Sequence, residues 1–424
     1  MANPGGRLVP WLVRFHRPRP HTGVAVTRSV TSSTTEDPHR MSTSRSLAPF
    51  AILLAHVFFV ACAPPDEAPR AHWTDVTDST EVRIIRESES LCDDCITLER
   101  MLVMGDTIGE GYLRGAFHLV RDSAGNYWFG QYEAVKVFDA AGNFVGEVGR
   151  AGEGPLEWEN AMPVHTDREG RIHIFDSGNY RHSVVGPDFT LIEDHSLPDH
   201  VADVGPLGDG GRWVVNMWHP TPDAIGSPLH IVEDGEIKRS FGGFVDPENP
   251  RAQTASWRAF TTDSAHRIFS APLNGAYSIE VWDEDGRRVT GFLVPGFNDP
   301  PWDPDAPESA DNPPASTIRA LRVDSEDRLW VLTWRRRDDW LDMMEERPGP
   351  GGRVRLEMKP EYEAIDRHYG QIDVIDLATA TVIARTRMEG VVLVDFLGED
   401  ELWSGEFFGP GHLRAGIWEI GFTP

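Results

Sequence analysis

Seven side chains carry groups suited to metal binding or acid–base catalysis: His118, His165, Asp176, Asn216, His219, Asp395 and Glu406. Such ligands must converge on one point to hold a metal ion. Alignment of neighbouring segments on their turn aspartates sets His118 opposite Pro163 and gives no shared ligand position. A glycine-rich phosphate loop, a serine elbow and an HExxH motif are all absent from the sequence. We therefore expect no cofactor, and catalysis is the less favoured interpretation.

A basic and aromatic cluster, Trp334-Arg335-Arg336-Arg337 with nearby Trp340, is the favoured candidate for ligand contact. Guanidinium groups can bind a carboxylate or phosphate through paired donors, and an indole ring can form a flat platform. Local neutralisation of this cluster by the acidic residues that follow, Asp338, Asp339, Glu345 and Glu346, is nevertheless the favoured interpretation. Further candidates lie elsewhere: Trp218 and His219 for ligand contact, and Asp176, Asn216 and Glu406 for an axial site.

The charge balance excludes one class of partner. The 424 residues contain 40 Lys and Arg against 67 Asp and Glu, a formal net charge of −27. Such a surface repels a phosphate backbone, so we expect no nucleic-acid partner. The 40 Gly and 32 Pro, without a long helical periodicity, favour an all-β protein with many turns.

The N-terminal region is typical of an exported lipoprotein. Residues 41–61 place one arginine before an apolar run of about 15 residues, the layout of a signal peptide and short for a membrane span. The ending Phe-Val-Ala-Cys resembles a bacterial lipobox, which implies lipidation of Cys62 and a membrane anchor in the cell envelope, with the outer membrane favoured. Residues 62–80 are predicted to be a tether. Residues 1–40 are interpreted as disordered or as a start codon assigned too far upstream.

Two further cysteines, Cys92 and Cys95, stand in the segment LCDDC. In an exported protein the expected outcome is a structural disulfide. A redox role would need a thioredoxin-like βαβ context, and two cysteines alone make a poor zinc site.

A repeated pattern then predicts the elements that position these residues. Segments such as FHLVRD-SAGN-YWFGQ and IRALRVD-SEDR-LWVLTW each give a strand, a tight polar turn and an aromatic or β-branched strand, and two more strands usually follow. Six such units predict a six-bladed β-propeller of four-stranded antiparallel blades over residues 81–424. The sixth unit has three strands, so we expect Ile96–Met104 to complete it beside residues 416–422.

The glycine-rich segment RAGEGPLEW and the segment FDSGNYR resemble the blade connections of NHL-type six-bladed propellers. The resemblance is sharp in the first two units and fades in the later ones. It implies the propeller fold and structural roles for Asp176 and Arg181. Among six-bladed propellers, calcium-dependent lactone hydrolases and zinc-dependent lyases provide the enzymatic alternative, and a surface scaffold is a third possibility.

The long insertions, 219–228, 295–316 and 335–370, all join strands two to three or one blade to the next. Strand direction alternates, so these connections emerge on one face, where binding sites usually lie. The sequence therefore predicts a monomeric, lipid-anchored propeller that binds a peptide, glycan or small molecule on that face.

Overall fold

A computed structural model describes residues 81–106, 108–114, 118–208, 211–217, 227–242, 257–273, 276–298, 303, 306–348, 354–407 and 413–423. The predicted signal peptide, Cys62, the tether, Trp218 and His219 lie outside these residues. Within them, no helix has the length and apolar composition that a membrane span requires.

The chain forms six four-stranded antiparallel sheets, the blades of a β-propeller, as predicted. Strand a of each blade lies innermost, where it contacts strand a of a neighbouring blade, and strands b, c and d follow outwards. The strands a to d are, in blade 1, Leu119–Arg121, Tyr127–Gln131, Ala134–Phe138 and Phe144–Val148; in blade 2, Ala161–Thr166, Ile172–Asp176, Arg181–Val185 and Leu191–Ser196; in blade 3, Val201–Leu207, Arg212–Met217, Leu229–Glu233 and Glu236–Phe241; in blade 4, Arg258–Thr262, Ile268–Pro272, Tyr277–Trp282 and Arg288–Val294; in blade 5, Thr317–Val323, Arg328–Arg336, His368–Asp376 and Thr381–Met388; and in blade 6, Val392–Phe396, Glu401–Phe407, Leu413–Phe422 and Ile96–Met104.

The N-terminal strand closes the ring, as the strand count predicts. Ile96 pairs with Phe422 and Met104 with Ala415 in an antiparallel ladder. Two preceding strands add a feature that the repeat pattern does not show. Val82–Ile84 runs parallel to the outer strand of blade 4, and Arg86–Cys92 runs parallel to the outer strand of blade 5. Residues 82–104 thus form a belt along the outer edges of blades 4, 5 and 6, and a Cys92–Cys95 disulfide, as predicted, lies within it.

Apolar side chains fill the spaces between neighbouring blades. Trp128, Trp158, Phe129 and Trp403 are each at most 1% exposed, and alternation along the strands sends such residues into the gaps between sheets. Burial of large aromatic side chains at every blade interface is the main source of stability for such a ring.

The glycines of the connection between blades 1 and 2 permit a close backbone approach. Gly149 has φ +82°, and a Cβ there would lie 2.2 Å from the Trp158 ring. Short parallel strands, Arg150–Ala151 and Glu157–Trp158, cross from the rim to the axis. The crossing explains why the sequence concentrates glycine at this point.

The insertion of blade 5 has its own secondary structure. It contains a two-stranded hairpin, Met344–Pro348 with Val354–Met358, and two short 3-10 helices, Trp340–Met343 and Ala364–Arg367. The opposite face carries tight turns, in which an aspartate such as Asp324 accepts backbone N–H bonds from residues two and four positions on.

A row of histidines crosses the face of blade 2 that packs on Trp213 of blade 3. The rings of His173 and His182 are joined by a 2.9 Å hydrogen bond between Nδ1 and Nε2, and Nε2 of His173 lies 3.3 Å from the Asp167 carboxylate. The His182 ring also stacks on Phe175 at 4.3 Å. These rings form part of the packing between the two blades.

Candidate functional site

The basic cluster of the blade 5 insertion is divided among separate neighbours. Each arginine has a contact of its own: Arg335 lies over the Phe297 ring at 4.5 Å, Arg336 donates to the Pro314 carbonyl at 3.3 Å, and Arg337 forms ion pairs with Asp339 and Glu389. The sequence favours neutralisation by nearby acidic residues, and the structure shows it for Arg337, which pairs with Asp339. The three guanidinium groups therefore do not converge on a common point.

The two tryptophans of this region differ in their environments. Trp340 is 4% exposed, so its ring packs inside the insertion and forms no open platform. Trp334 is partly buried, and its indole N–H donates to the Leu393 carbonyl at 2.8 Å. The guanidinium of Arg319 lies over the Trp334 ring at 4.5 Å. Trp334 thus connects blades 5 and 6 and supports a charged group of an innermost strand.

Asp176 is a structural hub. It is fully buried and accepts backbone N–H bonds from Glu159 and Asn160 at the end of the connection between blades 1 and 2. Asn179 and Arg181 donate to backbone carbonyls of the same connection, and Asn179 also donates to Asp176. The carboxylate is therefore occupied by the loop that it holds.

The other two axial candidates also hold elements of the fold together. Asn216 is 1% exposed, donates to the Pro228 carbonyl at 2.7 Å and accepts from the Arg258 N–H at 3.0 Å, which links blades 3 and 4. Glu406 accepts a 2.8 Å bond from Arg100, so it ties the closing strand to blade 6.

Three charged residues of the innermost strands lie at irregularities of the ladder. Strand a contains a β-bulge in blades 2, 3, 5 and 6, and bulges redirect side chains. Arg319 is the bulged residue of blade 5, and Asp203 and Asp395 directly follow the bulges of blades 3 and 6. Blades 3 and 6 stand opposite one another in a six-bladed ring. The two carboxyl groups therefore approach from opposite sides of the axial channel.

The electrostatics of these groups are coupled. Burial inside the ring raises the pKa of Asp203 to about 8, and the Asp395 carboxylate contributes to the increase. Burial likewise raises the pKa of Asp395 to about 6. A hydrogen bond from the Phe396 N–H and the positive charge of Arg319 lower this pKa and so offset part of the effect of burial. Asp395 remains accessible to water although protein surrounds it, as expected for a group that lines a channel. Both carboxyl groups are therefore harder to ionise than an ordinary aspartate, and Asp203 is the more strongly affected of the two.

Among the described residues, the Arg319 guanidinium has no ion-pair partner and contacts the Trp334 ring. Burial lowers its pKa, and Asp395 is the charge that opposes this effect. Nε of Arg319 is buried without a hydrogen-bond acceptor in the described part of the chain, and no described carboxylate forms a direct ion pair with this side chain. The charges of Arg319 and Asp395 therefore interact across a gap.

His118 adds a neutral imidazole to the innermost region of blade 1. The backbone carbonyl of His118 accepts a hydrogen bond from the Gly130 N–H. This pair of residues in blade 1 corresponds in position to the Asp203–Asn216 pair in blade 3. Burial lowers the pKa of the imidazole to about 4. Its ring makes no hydrogen bond or ring contact with any other residue that the structure describes.

Sequence reasoning singled out His118 and Asp395 but missed Asp203 and Arg319. The available signal was a charged residue inside the apolar inner strands VADVGPL and IRALRVD. His165, also a candidate, belongs instead to the histidine row of blade 2. Across the described ranges, no three His, Cys, Asp or Glu side chains are grouped so as to hold a metal ion.

Comparison with known proteins supports the architecture. No protein-family model matches the sequence, and no curated protein matches it. Among solved structures, a Bacteroides fragilis protein inferred to be exported has 11% identity and a TM-score of 0.51, over 81% of this chain and all of that one. The virginiamycin B lyase of Staphylococcus aureus has 12% identity and a TM-score of 0.43, over 76% of this chain and 99% of that one.

The similarity identifies the fold alone. A Xanthomonas campestris gluconolactonase is more distant, with 17% identity and a TM-score of 0.33 over 50% of this chain and 67% of that one. The Bacteroides fragilis structure shares the propeller architecture, and no family model supports the NHL-type resemblance. A fold shared at this level assigns no function to this chain.

Proposed function

We propose that this protein is an exported, lipid-anchored β-propeller that binds a peptide, glycan or small molecule at the mouth of its axial channel. The observation that supports the proposal is the set of unpaired charged groups on the innermost strands, with Arg319 and Asp395 separated by a gap. Charged groups inside a protein are costly unless they are paired. Their retention here is best explained by a ligand that pairs them.

The positions of the long connections also favour a binding site on the face near Arg319. Strand a of blade 5 begins at Thr317, directly after the insertion 295–316, and Arg319 is its third residue. The insertion between strands b and c of blade 5 emerges at the same end of the blade, beside Trp334. At its base the backbone N–H of Arg337 donates a 2.9 Å hydrogen bond to the Arg367 carbonyl. Loops of this kind can surround a ligand without disturbing the ladders that position Arg319.

The binding proposal is tested by a screen for ligands that raise the melting temperature, followed by calorimetric titration of each hit. We expect Arg319→Leu to weaken authentic hits at least about tenfold, the usual effect of removing a charge-assisted hydrogen bond. Arg347→Leu is the matched control, because Arg347 is an exposed arginine of the hairpin that pairs with Glu345. Hits that bind both variants equally well would place the site elsewhere.

The cellular location is tested separately, on protein recovered from its own membranes. The lipobox-like ending at Cys62 predicts an acylated N-terminal cysteine with nothing upstream of it. A mature chain that begins at another residue would contradict the lipid anchor and leave the binding proposal intact.

A second candidate function is acid–base catalysis in the channel, as in a hydrolase or lyase. One observation favours it: the pKa values of Asp203 and Asp395, about 8 and about 6, place a proton donor opposite a proton acceptor near neutral pH. Calcium or zinc would need further ligands, because the described channel groups do not form a metal-ion site. Turnover of a bound hit that is abolished by Asp203→Asn, with binding retained, would establish this function in place of simple binding.

A further inference from the structure

We infer that the channel binds a zwitterion, an amino acid or a short peptide with free termini, whose carboxylate pairs with Arg319 and whose ammonium group lies between Asp203 and Asp395. The inference rests on the proposed function and specifies its ligand class. It follows from the placement of one cation and two carboxyl groups on innermost strands of one ring.

The carboxylate half of the site is built around a supported guanidinium. The Trp334 ring fixes the plane of Arg319 at 4.5 Å, and the Trp334 N–H is itself held by the Leu393 carbonyl. A guanidinium fixed in this way presents its remaining N–H groups as a fork that matches a planar carboxylate. A stacked arginine also costs less entropy to order on binding than a free one.

The ammonium half of the site consists of two carboxyl groups. Each already accepts one backbone bond at 2.8 Å, from the N–H of the residue that follows it in the chain, Val204 or Phe396. This leaves the second oxygen of each carboxyl group without a partner among the described residues. An ammonium group has three donors and can bind both oxygens at once. The pKa of Asp203 is raised mainly by burial and also by the Asp395 charge, and the positive charge of an ammonium group would oppose both effects.

The gap between the two halves is the reason to expect one ligand with both charges. Arg319 and Asp395 interact electrostatically without direct contact, so an anion alone or a cation alone would leave one half unpaired. A zwitterion pairs both halves and adds no net charge to the channel. The strongly acidic surface, with a net formal charge of −27, disfavours a purely anionic ligand.

The test titrates the full-length protein with the free amino acids and a set of dipeptides, by calorimetry. Each compound that binds is compared with its N-acetyl and methyl ester derivatives, which remove the ammonium and carboxylate charges separately. We expect each derivative to bind at least about tenfold more weakly than the parent. We expect the Arg319→Leu variant to bind the methyl ester as tightly as the parent compound. We expect the double variant Asp203→Asn with Asp395→Asn to bind the N-acetyl form as tightly as the parent compound.

The outcomes separate this inference from the proposed function. If both derivatives bind as tightly as the parent, or if the channel takes only sugars or simple anions from a wider screen, the zwitterion assignment is wrong and the channel remains a binding site. If the channel substitutions change the affinity of no compound in either screen, the proposed function fails as well. Near-ultraviolet circular dichroism of each variant confirms that its tertiary packing is native.

Discussion

The histidine row of blade 2 predicts a specific sensitivity to acid. Burial lowers the pKa of His182 to about 3, with smaller contributions from the charges of His173 and His195, and its ring is part of the packing with Trp213. The pKa of His165 is lowered to about 4, mainly by burial, and that of His173 is also lowered. Each folded-state value lies below the ordinary value of 6.5. The corresponding stability is therefore present above pH 6.5 and is lost as the pH falls.

The size of the effect follows from proton linkage. At pH 5 an unfolded-state histidine of pKa 6.5 is almost fully protonated, whereas His182 in the folded state remains neutral. This difference lowers the free energy of unfolding by about 2 kcal/mol between pH 8 and pH 5 for His182 alone. His182 is 9% exposed, so solvent screening removes little of this amount. His165 and His173 act in the same direction.

The assay is urea denaturation at pH 8 and pH 5, with the free energy of unfolding compared within each variant. The phenyl ring introduced by His182→Phe can still stack on Phe175 but cannot be protonated. Between pH 8 and pH 5 we therefore expect the free energy of unfolding of this variant to fall by about 2 kcal/mol less than that of the unmodified protein. Val184→Ala, a cavity substitution on the same face of the blade, should lower stability equally at both pH values. An identical loss in His182→Phe and the unmodified protein would refute the linkage argument.

Three further predictions concern the fold. Removal of residues 82–104 should lower the melting temperature by about 10 °C or more and promote aggregation, because blade 6 loses its outer strand; an unchanged melting temperature would contradict the ring closure. Arg322→Ala, which removes a guanidinium held between the rings of Trp330 and Phe396, should cost about 2 kcal/mol in urea denaturation, and a cost near zero would show that the two stacks are unimportant. Asp176→Ala should cost about 3 kcal/mol and increase proteolysis of the connection that it holds, whereas a protease pattern like that of the unmodified protein would argue against its role as a hub.

The sequence predicted the blades because its signals are local. A tight turn flanked by aromatic and β-branched strands depends on neighbouring residues, and the place of Ile96–Met104 follows from counting only three strands in the sixth unit. The two belt strands that precede Ile96 were missed because a strand such as Arg86–Cys92, RESESLC, lies on an outer edge and needs no apolar pattern. Asp203 and Arg319 were missed for another reason. A bulge changes which side chains face the axis, and its position depends on pairing with the next strand.

The belt of residues 82–104 also constrains the order of folding. A chain made from its N-terminus produces the belt first, yet Ile96 pairs with Phe422 and Val82 with Gly291. Val82–Ile84 must therefore wait for residue 291, Arg86–Cys92 for residue 381, and Ile96–Met104 until almost the whole chain has been synthesised. Contacts so distant in sequence slow folding, and waiting strands are prone to aggregate. The charged and polar side chains of Arg86–Cys92 keep this strand soluble during that interval, so its composition suits a ladder whose partner strand is synthesised late.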